Sequence, residues 1–172
     1  MIQLSYRRIK MDELLLTEEE VVRLVVDFLV NKGWNRDTLV KHEKHQSGVD
    51  IDIRKGKHNG EHFLIECKKK CHAKSAKSVN KEGWLTALGQ LISRMDTPRV
   101  IEKGENKGEP NRATKYGLGL YWVGAQVALR RIPANVAKIL NLYIFSVDEK
   151  GVVKQFSYKD FGKEKYVDEL FH

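Results

Sequence analysis

Hydrophobic and polar positions along the chain change period several times, and each change marks an element. From Thr17 to Lys32 the apolar residues Val21, Val22, Leu24, Val25, Phe28 and Leu29 recur at helical spacing, which predicts one amphipathic helix. Thr17 and Glu20 have capping-box spacing, Glu18, Glu19 and Glu20 suit the positive end of the helix dipole, and Gly33 supplies the stop. Asp37 to Glu43 reads as a first strand with Leu39 facing inward. Between Ser47 and Lys68 the period drops to two. Val49, Ile51 and Ile53 alternate with Asp50, Asp52 and Arg54, and Phe63, Ile65 and Cys67 alternate with Leu64, Glu66 and Lys68. That pattern predicts two strands, each with one core face and one opposite face. Asn59-Gly60 supplies turn chemistry for an antiparallel hairpin.

A basic stretch follows, Lys68-Lys69-Lys70 with His72, Lys74, Lys77 and Lys81, without apolar periodicity. It is expected to be a loop. Glu82 to Met95 returns to helical spacing through Trp84, Leu85, Leu88, Leu91, Ile92 and Met95, with Gln90 inside the apolar surround and Arg94 one turn later. Residues 96–114 are rich in Gly, Lys, Glu and Asn and read as a long loop. Lys115 to Val123 reads as a buried strand, Gln126 to Arg131 is ambiguous between helix and strand, and Ile132-Pro133 opens a helix through about Asn141. Leu142 to Val147 and Val152 to Tyr158 are the last two strands. The order is helix, three strands, helix, strand, helix, strand, strand. Residues 17–172 are expected to form a single domain, and residues 1–16 an N-terminal arm or leader.

Composition narrows the partners. The chain has 172 residues, 41% hydrophobic and 31% charged, with a net charge of +8. That balance suits a globular domain facing a polyanion. No apolar run reaches the ~18 residues of a membrane span. A signal-peptide pattern and a basic amphipathic helix are both missing, so a cytoplasmic protein with no membrane partner is expected. The two cysteines, Cys67 and Cys71, are too few for an iron–sulfur cluster. Their spacing to His62 and His72 is poor for zinc, so neither group is expected. Cys67 is expected to pack as a small hydrophobe. His42 and His45 read as exposed polar residues near a strand end.

If the hairpin pairs, Asp50, Glu66 and Lys68 come together at one end of it. Two carboxylates and an ammonium in that arrangement have the chemistry of a divalent-metal site with a general base beside it. The Gly-x-Asp-Ile strand (Gly48, Asp50, Ile51), followed by the Glu-x-Lys strand (Glu66, Lys68), resembles the PD-(D/E)XK nuclease superfamily. The likeness is to its Mrr-, RecB- and archaeal junction-resolvase-type branches and spans roughly Thr17 to Val147. It implies an α/β fold with a restriction-endonuclease-like αβββαβ core, a central mixed sheet flanked by helices. It also implies Mg²⁺, with Mn²⁺ as a substitute, held by Asp50, Glu66 and the carbonyl of Cys67. Lys68 is then expected to activate water or stabilise the transition state. Similar nucleases carry a glutamate on the first helix facing the metal. Glu18, on the helical line of Val22, Val25 and Leu29, is the better match here and Glu19 is close behind. Gln90 takes the place of a supporting glutamine on the second helix. Asp52 is the rival of Asp50.

The activity so implied is that of a Mg²⁺-dependent endodeoxyribonuclease. Lys69, Lys70, Lys74, Lys77 and Arg94 are expected to contact nucleic acid, and cutting of both strands implies a homodimer or a partner. The competing expectation is a catalytically silent nucleic-acid-binding or assembly module on the same fold. An RNA substrate stays open, although no stacking-aromatic RNA motif is evident.

Overall fold

Thr17 starts α1 (Glu18–Asn31) through both halves of a capping box. The Glu20 N–H donates to Thr17 Oγ1 at 3.2 Å, and the Thr17 N–H donates to Glu20 Oε2 at 3.1 Å. Val21, Val25, Val26 and Leu29 are its buried stripe, with Val22, Leu24 and Phe28 partly buried beside them. Lys32 caps the end, and Gly33 then adopts φ +87°, where a side chain would be strained. The structure is a computed structural model, and it describes residues 16–39, 49–56, 61–69, 76–95 and 114–162.

The other elements are β1 (Ile51–Arg54), β2 (His62–Lys68), α2 (Ala76–Ser93), β3 (Thr114–Tyr121), α3 (Trp122–Arg131), α4 (Ala134–Ile139), β4 (Leu142–Val147) and β5 (Val153–Phe156). They form an α/β fold with one five-stranded mixed sheet in the order β1-β2-β3-β4-β5. The inner strands β2, β3 and β4 run parallel, and the edges β1 and β5 pair antiparallel. The first hairpin therefore forms as its alternation predicts, with Ile51 opposite Ile65 and Ile53 opposite Phe63. Its turn at Asn59-Gly60 lies outside the described residues.

Both faces of the sheet are core. On one, Ile51, Ile53, Phe63, Ile65, Cys67, Phe145 and Val147 pack under α1. On the other, Leu64, Leu118, Leu120, Leu142 and Ile144 pack with Ala87 and Leu91 of α2 and Ala125, Ala128 and Leu129 of α3. Parallel inner strands with crossover helices require this double cover. Cys67 is fully buried and its thiol is pushed well above its ordinary pKa, by burial first and then by the charge of Asp50. It packs as a small apolar group, as expected.

Several expected boundaries move. The first strand is replaced over Arg36–Thr38 by a short 3₁₀ turn, whose flanking Asn35 makes a single antiparallel bridge to Arg54. Residues 40–43 of that strand, with His42 and His45, lie outside the described residues. Val49 does not share a face with Ile51 and Ile53. It packs in the opposite cluster, because the chain bends at Asp50 before β1 begins. α2 begins at Ala76, so Lys77 and Lys81 lie on a helix rather than in a loop. β3 ends at Tyr121 and Gln126–Arg131 is helical, within α3. α4 ends at Ile139, and Asn141 turns the chain with φ 48°. Residues 1–15, residues 96–113 of the expected loop, and Cys71-His72 lie outside the described residues.

On β3, Gly117 and Gly119 leave room for the large side chains of β2 and β4. A Cβ on Gly119 would meet Cys67 Sγ at 2.6 Å and Val21 Cγ1 at 3.5 Å. Gly119→Ala is accordingly expected to destabilise the protein by about 1–3 kcal/mol, the usual cost of overpacking. Adding Cys67→Ala removes the clashing sulfur. In urea unfolding the double variant should then be more stable than the sum of the two single losses.

Candidate metal and nucleic-acid site

The carboxyl ends of parallel strands are where α/β sheets commonly place ligands, and the charged residues of β2 collect there. Glu66 and Lys68 share a face of β2 and both point toward α2. A Cβ on Gly83 of α2 would lie 3.9 Å from Lys68 Cβ. Glu66 is 2% exposed. Its Oε1 accepts from Lys68 Nζ at 3.1 Å, and its Oε2 accepts from Arg94 Nη1, just beyond the end of α2. The N-terminus of α1 arrives from the opposite face of the sheet and sets Glu18 Oε2 3.7 Å from Lys68 Nζ.

Asp50 joins this group through the bend before β1. Its Oδ2 accepts the backbone N–H of Cys67 at 2.6 Å, which fixes a carboxylate beside the end of β2. An open cleft of about 560 Å³ lies in front, lined by Thr17, Glu18, Glu19, Val22, Asp50 and Lys69. Burial pushes the Glu66 carboxyl above its ordinary pKa of 4.5. The charge of Asp50 pushes it further, and Lys68 and Arg94 offset this only in part. Two carboxylates held close enough to repel are a favourable setting for a cation.

Four of the sequence-derived residues, Asp50, Glu66, Lys68 and Glu18, thus converge. Glu19 is exposed and also lines the cleft, so both glutamates border it, but Glu18 is the one that reaches Lys68. Gln90 lies one turn before Arg94 on α2, and its buried Oε1 has no hydrogen-bond partner among the described residues. Lys69 is exposed at the cleft. Arg94 is bound to Glu66 instead of standing out toward solvent. Helical spacing gives no signal of this partner, 28 residues away in the chain. Lys70 and Lys74 lie outside the described residues, as does the side chain of Lys77.

Asp52 is set apart from this group. It is 2% exposed and hydrogen-bonds through Oδ1 to Nε2 of His62, itself fully buried. That pairing across the β1–β2 ladder gives Asp52 a structural role. Among the described residues there is no cluster of three or more His, Cys, Asp and Glu side chains that would enclose a metal. No helix among them is long and apolar enough to cross a membrane. No family model, curated protein or solved structure matches the chain.

Asp52→Asn is expected to cost about 1–3 kcal/mol in chemical unfolding, because it disturbs a buried hydrogen-bonded pair. The raised Glu66 pKa has a pH signature too. A carboxyl that binds its proton more tightly when folded contributes stability fully below 4.5, the ordinary value. That contribution is lost as pH rises through the folded pKa. A carboxyl-carbon NMR titration should place the Glu66 midpoint above 4.5, and Asp50→Asn should lower it.

Proposed function

We propose that the protein is a metal-dependent DNA endonuclease with a restriction-endonuclease-like core of the PD-(D/E)XK type. The observation that carries this is the convergence of Asp50, Glu66, Lys68 and Glu18 at the end of β2, beside an open cleft. The order α1-β1-β2-α2-β3 supports the core assignment, with one strand fewer between α1 and α2 among the described residues than the αβββαβ pattern has. Net charge +8 supports a polyanionic substrate.

The donor set suits a hard cation. Mg²⁺ commonly takes one or two carboxylates and keeps several waters, so the absence of a larger ligand cluster among the described residues is compatible with it. Asp50 and Glu66 would hold the ion, with the Cys67 carbonyl as a third donor, and Mn²⁺ could substitute. When bound, such an ion neutralises charge on the scissile phosphate and polarises it.

The chain's own residues do the rest. Lys68 Nζ, which lies between Glu66 and Glu18, would orient the attacking water and stabilise negative charge in the transition state. Glu18 holds Lys68 from the opposite side of the sheet and can accept a hydrogen bond from water in the cleft. Lys69 at the rim meets the phosphate backbone. Gln90 supports the site from α2. A single site cuts one strand, so cleavage of both strands calls for a homodimer or a partner protein.

A second reading, a silent nucleic-acid-binding module, rests on one observation. Both Glu66 oxygens are engaged by Lys68 and Arg94, as they would be if the carboxylate served only the fold.

The two readings part in a cleavage assay on labelled duplex, single-strand, flap, four-way-junction and RNA substrates with Mg²⁺ or Mn²⁺. The wild type is expected to cut at least one DNA substrate. Asp50→Ala and Lys68→Ala, with circular dichroism unchanged, are expected to lose about 10²–10³-fold or more in rate. Tight, salt-sensitive binding without cutting would favour the silent module. Equal cutting by all three proteins would mean that the site lies elsewhere.

A further inference from the structure

Glu66 is satisfied twice over. Lys68 holds Oε1 and Arg94 holds Oε2. Each oxygen keeps a second lone pair, but a divalent ion bound there would sit against two cations, so loading the site favours displacing one of them. The two are not equivalent. Lys68 is on the same strand as Glu66 and also lies 3.7 Å from Glu18, so it has a second carboxylate to keep it in place. Arg94 follows the last helical residue of α2, with its N–H donating to the Leu91 carbonyl at 3.1 Å. Its side chain is 27% exposed, at the end of a long flexible stem that reaches in from outside. One turn back, Gln90 Oε1 is a buried acceptor with no partner among the described residues. It lies within the i, i+4 reach of Arg94.

We propose that Arg94 is the counter-ion that a divalent cation displaces from Glu66, and that the released guanidinium then binds the phosphate of the nucleic acid. This rests on the metal-dependent reading above and adds its regulation. Without metal, the formal charges of Asp50, Glu66 and Glu18 against Lys68 and Arg94 leave one net negative charge, which repels a phosphate. A bound divalent ion reverses that sign and frees a planar donor fork suited to phosphate oxygens. Gln90 offers an acceptor to the guanidinium in its new position. Metal and nucleic acid therefore help each other bind, and the coupling is reciprocal. Arg94 is a positioning residue for Glu66 in the metal-free protein and a substrate contact in the loaded one.

The opposite role, a permanent brace that orients Glu66 toward the metal, makes the opposite prediction for affinity. Mn²⁺ is titrated into the nucleic-acid-free protein by calorimetry, using wild type, Arg94→Ala, Arg94→Lys and Asp50→Ala. Displacement predicts that Arg94→Ala binds Mn²⁺ about tenfold tighter, since a competing charge near the carboxylates is gone. Arg94→Lys, which keeps the charge, should stay near wild type. An unchanged or weaker affinity in Arg94→Ala overturns the proposal. Circular dichroism checks each variant, and if Arg94→Ala does not fold, Arg94→Gln carries the same comparison with the same expected sign.

A second arm measures binding of a labelled DNA duplex in Ca²⁺ and in EDTA. The wild type should gain affinity with Ca²⁺, and Arg94→Ala should lose most of that gain. Retention of the full gain by Arg94→Ala also overturns the proposal. Asp50→Ala separates the two levels of inference. If it abolishes Mn²⁺ binding while Arg94→Ala brings no increase, the metal site stands and only displacement is rejected. If Asp50→Ala binds Mn²⁺ as the wild type does, or the wild type and Arg94→Ala do not bind it at all, the metal assignment falls and displacement falls with it.

Discussion

The burial of Glu66 on an inner strand is the constraint around which the rest of this end of the molecule is arranged. A carboxylate taken out of water is costly unless it is hydrogen-bonded and paired. Here the demand is met from two directions, by Lys68 on β2 itself and by Arg94 just after α2. Lys68 is steadied in turn by Glu18 from α1. One buried charge thus ties together helices that cover opposite faces of the sheet. Removing either cation would leave the carboxylate under-compensated, and removing Glu66 would leave two cations facing each other.

The sheet supplies the rigidity that such a site needs. β2 and β3 pair over seven positions, from His62 opposite Thr114 to Lys68 opposite Leu120. α1 and α2 cover the two sides of that pair. The glycines of β3 are part of the same design, since Gly117 and Gly119 let Ile65, Cys67 and Phe145 close over the strand without a gap. Phe63 and Phe145 meet edge to face with centroids 5.3 Å apart, an arrangement that adds to the area they bury. Side chains held this way support the carboxyl end of β2.

Asp50 and Asp52 show how little separation divides a carboxylate set beside the cleft from one locked in the interior. Both are acidic and two residues apart in one polar-apolar alternation. Asp52 lies within the ladder and is paired with His62 in the interior. Asp50 lies just before β1, where the chain bends, and its carboxylate turns to the Cys67 N–H beside the cleft. The sheet's edge, and not the residue type, assigns the roles.

Much of the local structure was legible in the sequence because it depends on near neighbours. The capping box of α1, the β1–β2 alternation, the Pro133 start of α4 and the β4 run all follow from periodicity and turn chemistry that act over a few residues. The nearness of Asp50, Glu66 and Lys68 followed from extending the hairpin register, but the turn of the Asp50 carboxylate to the Cys67 N–H came from the bend before β1. Sequence alone did not locate the bend at Asp50, the replacement of the expected first strand by a 3₁₀ turn, or the early start of α2. Each depends on what packs against the segment. Nor could it place Arg94 on Glu66. That contact depends on how α2 seats on the sheet, which is settled only when both faces of the sheet are buried at once.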